Sequence, residues 1–329
     1  MKNLFITGGG GYVGTRLVPV MLNFGYRVIV YDTFYYGNYL NQNRNLITIK
    51  GDIRDKDKLS SSIPEGADVL HLACISNDAS FALNPDLSRT INYEAFIDLV
   101  TIAKKNQVKR FVYASTSSVY GVSEADNITE DHPLKPITHY NAYKAKCEPI
   151  LLQEEDNIFQ PVIFRPATVC GYSPRMRLDL SVNILTAHAI TKNLITVFGG
   201  TQRRPNLHIL DYIDACILLL NSNDVVGKTY NIGNENMTLA EIARLVRSSL
   251  TEIDSKFSNI EITTTPSDDI RSYHIDSSKI FREIGFKPTR TISDAVKEVY
   301  SAFVNKAIDI NIDLDKYHNV KTLLNNRIA

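Results

Sequence analysis

The stretch "LFITGGGGYVGTRL" (residues 4–17) decides how the rest of the chain is read. Leu4, Phe5, Ile6 and Thr7 have the composition of a short buried strand, and Gly8, Gly11 and Gly14 then give the spacing G-x-x-G-x-x-G. Val13, Leu17, Val20, Met21 and Phe24 follow at helical intervals. A strand that turns through glycines into an apolar helix points the helix's free N–H groups at one place, where a phosphate is favoured. The first two glycines allow the tight turn and close backbone approach to a pyrophosphate, and Gly14 lets the helix pack closely on the sheet. Pro19 falls inside this helix and is expected to remove one hydrogen bond and bend it. A glycine-rich turn with no ligand has the same spacing, so other residues must decide.

The second strand supplies the first of them. "YRVIVYD" ends at Asp32, 18 residues past Gly14. An acidic side chain there accepts both ribose hydroxyls of a dinucleotide and repels a 2′-phosphate, which favours NAD over NADP. A solvated aspartate at a strand end is the alternative. At the end of the third strand, "KGDIRD" offers Asp52 and Ile53 where an adenine ring would lie. Asp52 taken alone suits a simple turn or helix cap equally well.

Composition narrows the partners. The 329-residue chain is 44% hydrophobic, long enough for one large domain or two modest ones. Lysine plus arginine and aspartate plus glutamate number 36 each, so no net field draws it to nucleic acid or an anionic membrane. An anionic ligand must then be met by a few placed arginines. Cys74, Cys147, Cys170 and Cys216 are widely spaced in apolar surroundings, the pattern of buried thiols in a reducing compartment. No metal-ligand set is apparent, and no apolar run approaches the roughly 18 residues of a membrane span. A cytoplasmic protein is expected.

The strands "NLFIT", "RVIVY", "LITIK", "ADVLHLA", "RFVYAS" and "PVIFRPA" alternate with helical stretches, the rhythm of βαβ units and a buried parallel sheet. "NPDLSRTINYEAFIDLVTIAKKN" (84–106) predicts one helix starting at a turn. From about Gly171 the pattern loosens into short strands, loops and helices such as "TLAEIARLVRSSL", where Thr238 and Glu241 fit a capping box. The expected architecture is α/β: a Rossmann-type doubly wound parallel sheet formed by 1–170 and about 206–232, and a smaller α/β substrate-binding lobe formed by 171–205 and 233–329. The last 25 or so residues are read as an extension of that lobe.

After the fifth strand come "ASTSSVYG" and then "HYNAYKAK", which contains Tyr140-x-x-x-Lys144. The i, i+4 spacing puts phenol and ammonium on one helix face. A free tyrosine has a pKa of about 10. A nearby lysine and a positive nicotinamide ring both favour the phenolate, so the pair can act as a general base. An exposed pair on an amphipathic helix is the plainer reading, and Tyr143 competes with Tyr140 for the role, although only Tyr140 has a lysine four residues on. A hydroxyl in "ASTSSVYG" could bind the reacting oxygen of a substrate, or simply close a serine-rich turn.

Taken in order, these residues resemble the extended short-chain dehydrogenase/reductase family, in particular nucleotide-sugar epimerases and dehydratases like UDP-glucose 4-epimerase. The resemblance runs from Thr7 and the glycines through Asp32, Asp52, "HLAC", Asn92, "STSSVYG", Tyr140-x-x-x-Lys144 and "RRPNLHILD". It implies that Tyr140 is the base, that Lys144 holds the nicotinamide ribose, and that Thr116 hydrogen-bonds the sugar hydroxyl being oxidised. The cofactor NAD would be lined by Gly8, Gly11, Tyr12, Val13, Gly14, Asp32, Asp52, Ile53, Leu72, Ala73, Ser76 and Asn92, besides Tyr140 and Lys144. Thr116, Thr168, Asn183, Arg204 and Arg271 would meet a nucleoside-diphosphate sugar, with guanidinium forks suited to its diphosphate. Arg175 and Arg177 could contribute or could be solvated surface arginines. Two departures stand out: Thr168 occupies a position where many relatives have asparagine, and "CISNDASFALNP" lacks a lysine found in some 4-epimerases. A homodimer built on helices around 86–105 and 140–154 is also implied.

A 4,6-dehydratase of this type places Asp-Glu directly after the threonine, where this chain has Ser117 and Ser118, so dehydration is discounted. The reading is an NAD-dependent epimerase acting at C4. The alternative is a 4-dehydrogenase or 4-ketoreductase that exchanges its keto product, since "ATVCGYSPRMRLDL" resembles GDP-heptose 4-dehydrogenases. A non-enzymatic NAD-binding scaffold is the remaining class, and an intact Thr/Tyr/Lys set argues against it.

Overall fold

A computed structural model of the chain describes residues 1–123, 125, 127–267 and 271–328. The six strands expected in the first half form as β1 (Asn3–Thr7), β2 (Arg27–Asp32), β3 (Leu46–Lys50), β4 (Asp68–His71), β5 (Arg110–Ala114) and β6 (Gln160–Pro166). They are followed by β7 (Thr168–Cys170), β8 (Leu194–Phe198), β9 (Arg203–His208), β10 (Thr229–Ile232), β11 (Glu235–Thr238) and β12 (Glu261–Thr265). One seven-stranded sheet has the order β10-β6-β5-β4-β1-β2-β3, with every pairing parallel. The chain winds one way from β1 through β2 to β3 and the other way from β4 onward. The loops leaving the carboxyl ends of β1 and β4 therefore diverge, and a crevice opens between them.

The alternation of side chains along β1 builds both layers. Leu4 and Ile6 join one core with Leu17, Val18 and Met21 of α1 (Tyr12–Asn23), and Phe5 joins the other with Phe96 and Leu99. Burying each such side chain stabilises the fold by about 1.5–3 kcal/mol relative to leaving it in water. The bend expected at Pro19 does not end α1: the helix runs through it, with Pro19 on the exposed side.

The helices after β3 and β4 are α2 (Lys56–Ser62), α3 (Asp78–Leu83), α4 (Pro85–Arg89) and α5 (Ala95–Lys105), followed by α6 (His139–Leu152) after β5. The single helix predicted over 84–106 is instead α4 and α5 joined by one π-helical turn, Thr90–Glu94. Such a turn accommodates an extra residue and commonly marks a functional site. Here it carries Asn92.

The looser second half holds a three-stranded sheet, β11-β9-β7, and the pair β12-β8. These pack with α7 (Ser181–Lys192), α9 (Leu239–Ile253) and α11 (Ile292–Val304), while α8 (Ile209–Asn221) lies on α1 and β5 as well as on β7 and β9, and α10 (Ser278–Ile284) lies on β10 of the first sheet. Thr238 and Glu241 close the expected capping box on α9, an arrangement that contributes about 1 kcal/mol to a helix. The C-terminal residues depart from expectation. The last helix, α12 (Asn319–Asn325), returns to the first sheet, where Leu323 enters the same core as Phe5 and Phe96. Among the described residues no helix is long and apolar enough to cross a membrane.

Candidate active site

The crevice at the switch point is a cavity of about 580 Å³, lined by the glycine loop, the ends of β2 to β6, α6 and residues of the second half. Its floor is shaped by the glycines. Gly8 has φ +75°, and a Cβ there would stand 2.6 Å from the backbone N of Ala73 at the end of β4. A Cβ on Gly14 would stand 2.4 Å from the carbonyl oxygen of Gly9. The loop thus sits where only glycine fits, leaving the amides that begin α1 facing a space.

Asp32 is held at the edge of that space. Its two carboxylate oxygens accept from the backbone N–H groups of Gly10 (2.8 Å) and Phe34 (2.7 Å). Burial raises its pKa above the ordinary aspartate value, with those two hydrogen bonds pulling the other way. Asp52 and Ile53 also line the cavity. Burial works against ionisation of Asp52, but hydrogen bonds and charge from Arg54 outweigh it and hold the carboxyl below its ordinary value. Its Oδ1 also accepts from the Arg54 N–H, so Asp52 makes the turn and faces the cavity at once.

At the other end of the crevice Tyr140, Lys144 and Thr116 come together in the lining. Thr138 caps α6 by accepting from the Asn141 N–H, which sets the helix phase. Lys144 is buried, and its ammonium donates to the carbonyl oxygen of Ala114 across 2.7 Å, 4.9 Å from the Tyr113 ring centre. Burial, with the nearby Cys74 and Asp78, pushes the Tyr140 phenol well above its ordinary pKa, against a smaller pull from Arg177. Tyr143 is excluded from the cavity: it stacks on Phe81 at 5.8 Å and leans on Tyr93 at 5.4 Å. Thr116 accepts from the Ser118 N–H (3.2 Å), and the hydroxyl of Ser118 pairs with that of Tyr273 at 2.8 Å.

Two expected contact residues do not reach the cavity. Asn92 is buried with both amide atoms on the backbone of Ile75, at 2.8 and 3.0 Å. It braces the loop after β4 from behind, and Leu72, Ala73 and Ser76 of that loop form the lining. Asn183 is also fully enclosed. Its Oδ1 accepts from the Gly171 N–H, and its Nδ2 donates to the Tyr12 hydroxyl and the Arg177 carbonyl. Its hydrogen-bonding capacity is spent joining α7 to the glycine loop and to the segment after β7.

The remaining predicted residues lie in the lining: Gly11, Tyr12 and Val13 in the loop, and Thr168, Arg204 and Arg271 from the second half. Arg204 donates to the carbonyl oxygens of Arg203 and Arg271, while Arg271 pairs with Asp78 across the cavity mouth. Among the lining residues, Tyr36, Asp179 and Asn319 carried no signal in the sequence, and of the two readings left open for Arg175 and Arg177 the structure places both in the lining. Arg175 and Arg177 are buried rather than on the surface. Cys74 is only half-buried and lines the cavity, unlike the three buried cysteines, and all four thiols are free. Among the described residues no group of three or more potential ligands could hold a metal ion.

The sequence pattern of the NAD dependent epimerase/dehydratase family matches residues 4–233, a span that includes the glycine loop, Asp32, Thr116, Tyr140 and Lys144. The chain belongs to that family. Across its length it is 27% identical over 314 residues to UDP-glucuronic acid decarboxylase 1 of Arabidopsis thaliana, covering 93% of this chain and 71% of the relative. In fold it matches the UDP-glucose 4-epimerase of Thermotoga maritima solved with UDP-glucose, with a TM-score of 0.83, 24% identity and coverage of 93% and 100% of the two chains. It matches the dTDP-glucose 4,6-dehydratase of Streptomyces venezuelae, solved with NAD, with a TM-score of 0.80, 24% identity and coverage of 92% and 98%. NAD is the family's cofactor, and the cradle described above fits it: glycines where no Cβ can stand, helix N–H groups facing the gap, and a carboxylate at the end of β2.

Proposed function

We propose that this chain inverts C4 of a nucleoside-diphosphate sugar through a transient 4-keto sugar, with Gly8 to Gly14, Asp32 and Lys144 holding NAD. Bound NAD supplies a hydride acceptor and, afterwards, a hydride donor. Tyr140 takes the proton from the sugar hydroxyl as its carbon is oxidised and returns it on reduction. Thr116 holds that hydroxyl toward Tyr140. The charge of Lys144, together with that of the oxidised nicotinamide, draws the phenol back toward ionisation, opposing the burial that raises it. Arg204 and Arg271 stand for the substrate diphosphate.

One observation supports inversion over dehydration. Among the described residues four carboxylates line the cavity, and each already has partners. Asp32 is bound by two backbone amides, Asp52 by Arg54, Asp78 by Arg271 and Thr138, and Asp179 by Arg177. After Thr116 the chain offers only the hydroxyls of Ser117 and Ser118, which face Tyr273. Eliminating water needs a proton donor and acceptor that these hydroxyls are too weak to be, whereas inversion needs only Tyr140 and room for the ketose to turn. The reading includes a cytoplasmic homodimer, supported by the family resemblance of α5 and α6.

The test is a panel of UDP-, GDP-, CDP- and dTDP-sugars given to the purified chain, following product stereochemistry and NADH absorbance together. An epimer without NADH supports inversion. Stoichiometric NADH with a keto sugar overturns it in favour of a dehydrogenase, and a deoxy-keto product in favour of a dehydratase.

A further inference from the structure

Arg175 and Arg177 stand two residues apart between β7 and α7 and differ in one respect. Arg177 has its own anion, with Nε and one terminal nitrogen on Asp179 at 2.8 and 3.1 Å. Arg175 is 2% exposed, and among the described residues no carboxylate lies within ion-pair distance of it. Its guanidinium rests 4.1 Å over the Tyr36 ring, one terminal nitrogen donates to the side-chain oxygen of Asn319, and its Nε has no partner at all. Burial pushes its pKa down to about 10, helped by the charge of Arg177. A buried guanidinium without a counter-ion is unfavourable, and an anion entering beside it removes that disadvantage.

Its position indicates which anion. Arg175 lines the cavity with the glycine loop, and its backbone N–H donates to Thr15 Oγ1 at 3.2 Å. Thr15 in turn donates to the Gly11 carbonyl at 3.0 Å. Arg175 is thereby fixed to the first turn of α1, whose residues Tyr12, Val13 and Gly14 line the cavity. Its charge is also felt by Asp32 on the far side of the loop. Arg204 and Arg271 lie instead on β9 and beyond β12. Asn319, the first residue of α12, completes the arrangement: 1% exposed, it donates from its side chain to Ser76 Oγ at 2.8 Å and from its backbone N–H to Asp179 at 3.3 Å.

We propose that Arg175 is the counter-ion of the cofactor's pyrophosphate and that Asn319 holds it in place, so that cofactor retention depends on the last helix of the chain. The arrangement is independent of which sugar reaction follows. In the full-length protein, nucleotide released on denaturation is counted, and NAD, ADP-ribose, adenosine and UDP are then titrated calorimetrically into wild type, R175M, R175K and N319A stripped of nucleotide. R175M should co-purify with little NAD and bind NAD and ADP-ribose roughly 10- to 100-fold more weakly, the effect of losing charge-assisted hydrogen bonds, with adenosine and UDP affinities unchanged. R175K should fall between, and N319A should weaken the same two ligands by a smaller factor. Wild-type NAD affinity in R175M overturns the proposal. So does an equal loss for adenosine, which marks a merely structural role, or a loss confined to UDP, which assigns Arg175 to the substrate. If R175M does not fold, R175K and N319A decide by the same comparison.

Discussion

Lys144 Nζ donates to the carbonyl oxygen of Ala114 across 2.7 Å, tying the helix that carries Tyr140 to the end of the strand that leads to Thr116. The bond spans 30 residues of sequence and sits in a buried position. It makes the ammonium both a charge in the lining shared by Tyr140 and Thr116 and a brace between α6 and β5. Lys144→Met should therefore lower turnover by about 10²-fold or more and also cost about 1–3 kcal/mol in stability, because the Ala114 carbonyl is left without a donor. Steady-state kinetics and urea unfolding on the same preparation check both parts.

Tyr140→Phe should behave differently. It removes the proton acceptor but keeps the ring between α3 and α6, where Tyr140 meets Phe81 edge-on at 6.5 Å. Turnover should fall by about 10²- to 10⁴-fold with unfolding midpoint and bound NAD unchanged. Unaltered turnover would remove Tyr140 from the chemistry.

The pH dependence of cofactor binding should report Asp32. Burial raises its folded-state pKa, so this group favours the nucleotide-free fold at low pH, below its unfolded value of about 3.9, and that contribution is lost as pH rises through the raised value. In the proposed role Asp32 accepts from both ribose hydroxyls of NAD, which only its ionised form can do. Its affinity should weaken as pH falls, starting above the range of an ordinary aspartate and approaching about tenfold per pH unit. Calorimetric titrations across pH should show this slope in wild type and lose it in Asp32→Asn.

Beneath the site, Glu148 accepts from Ser115 Oγ at 2.6 Å and from Arg165 at 2.6 to 3.2 Å, and Arg165 donates onward to Tyr120. Both charged side chains are almost fully enclosed. Glu148→Ala leaves Arg165 charged and without its anion, and should cost about 3–5 kcal/mol in stability. Denaturant unfolding measures it, and a loss under about 1 kcal/mol would mean that water replaces the carboxylate.

Much of this was legible in the sequence because it is local. The glycine spacing, Asp32 at a strand end, the capping box of Thr238 and the i, i+4 pair on α6 each depend on residues within a turn or two of one another. What could not be read depends on partners far along the chain. Asn92 and Asn183 look like ligand contacts until their amide atoms are found bonded to Ile75, Tyr12, Gly171 and Arg177. Arg175 and Arg177 stay open in the sequence between a ligand role and a surface position, because nothing nearby shows that α12, about 140 residues later, bonds to Arg175 and to Asp179, the partner of Arg177. The extra residue in the Thr90–Glu94 turn was equally hidden, since the buried Ile91, Ala95 and Leu99 stand four residues apart, a spacing that an unbroken α-helix also allows.

The central claim is that the hydride removed from the sugar is returned to the same sugar on its other face. The direct measurement uses a nucleotide sugar carrying deuterium at C4, incubated with the protein in ordinary water and followed by NMR and mass spectrometry. The account predicts an inverted C4 that keeps its deuterium, with no lasting NADH absorbance. Loss of the label with accumulation of a keto sugar and one equivalent of reduced cofactor would contradict it.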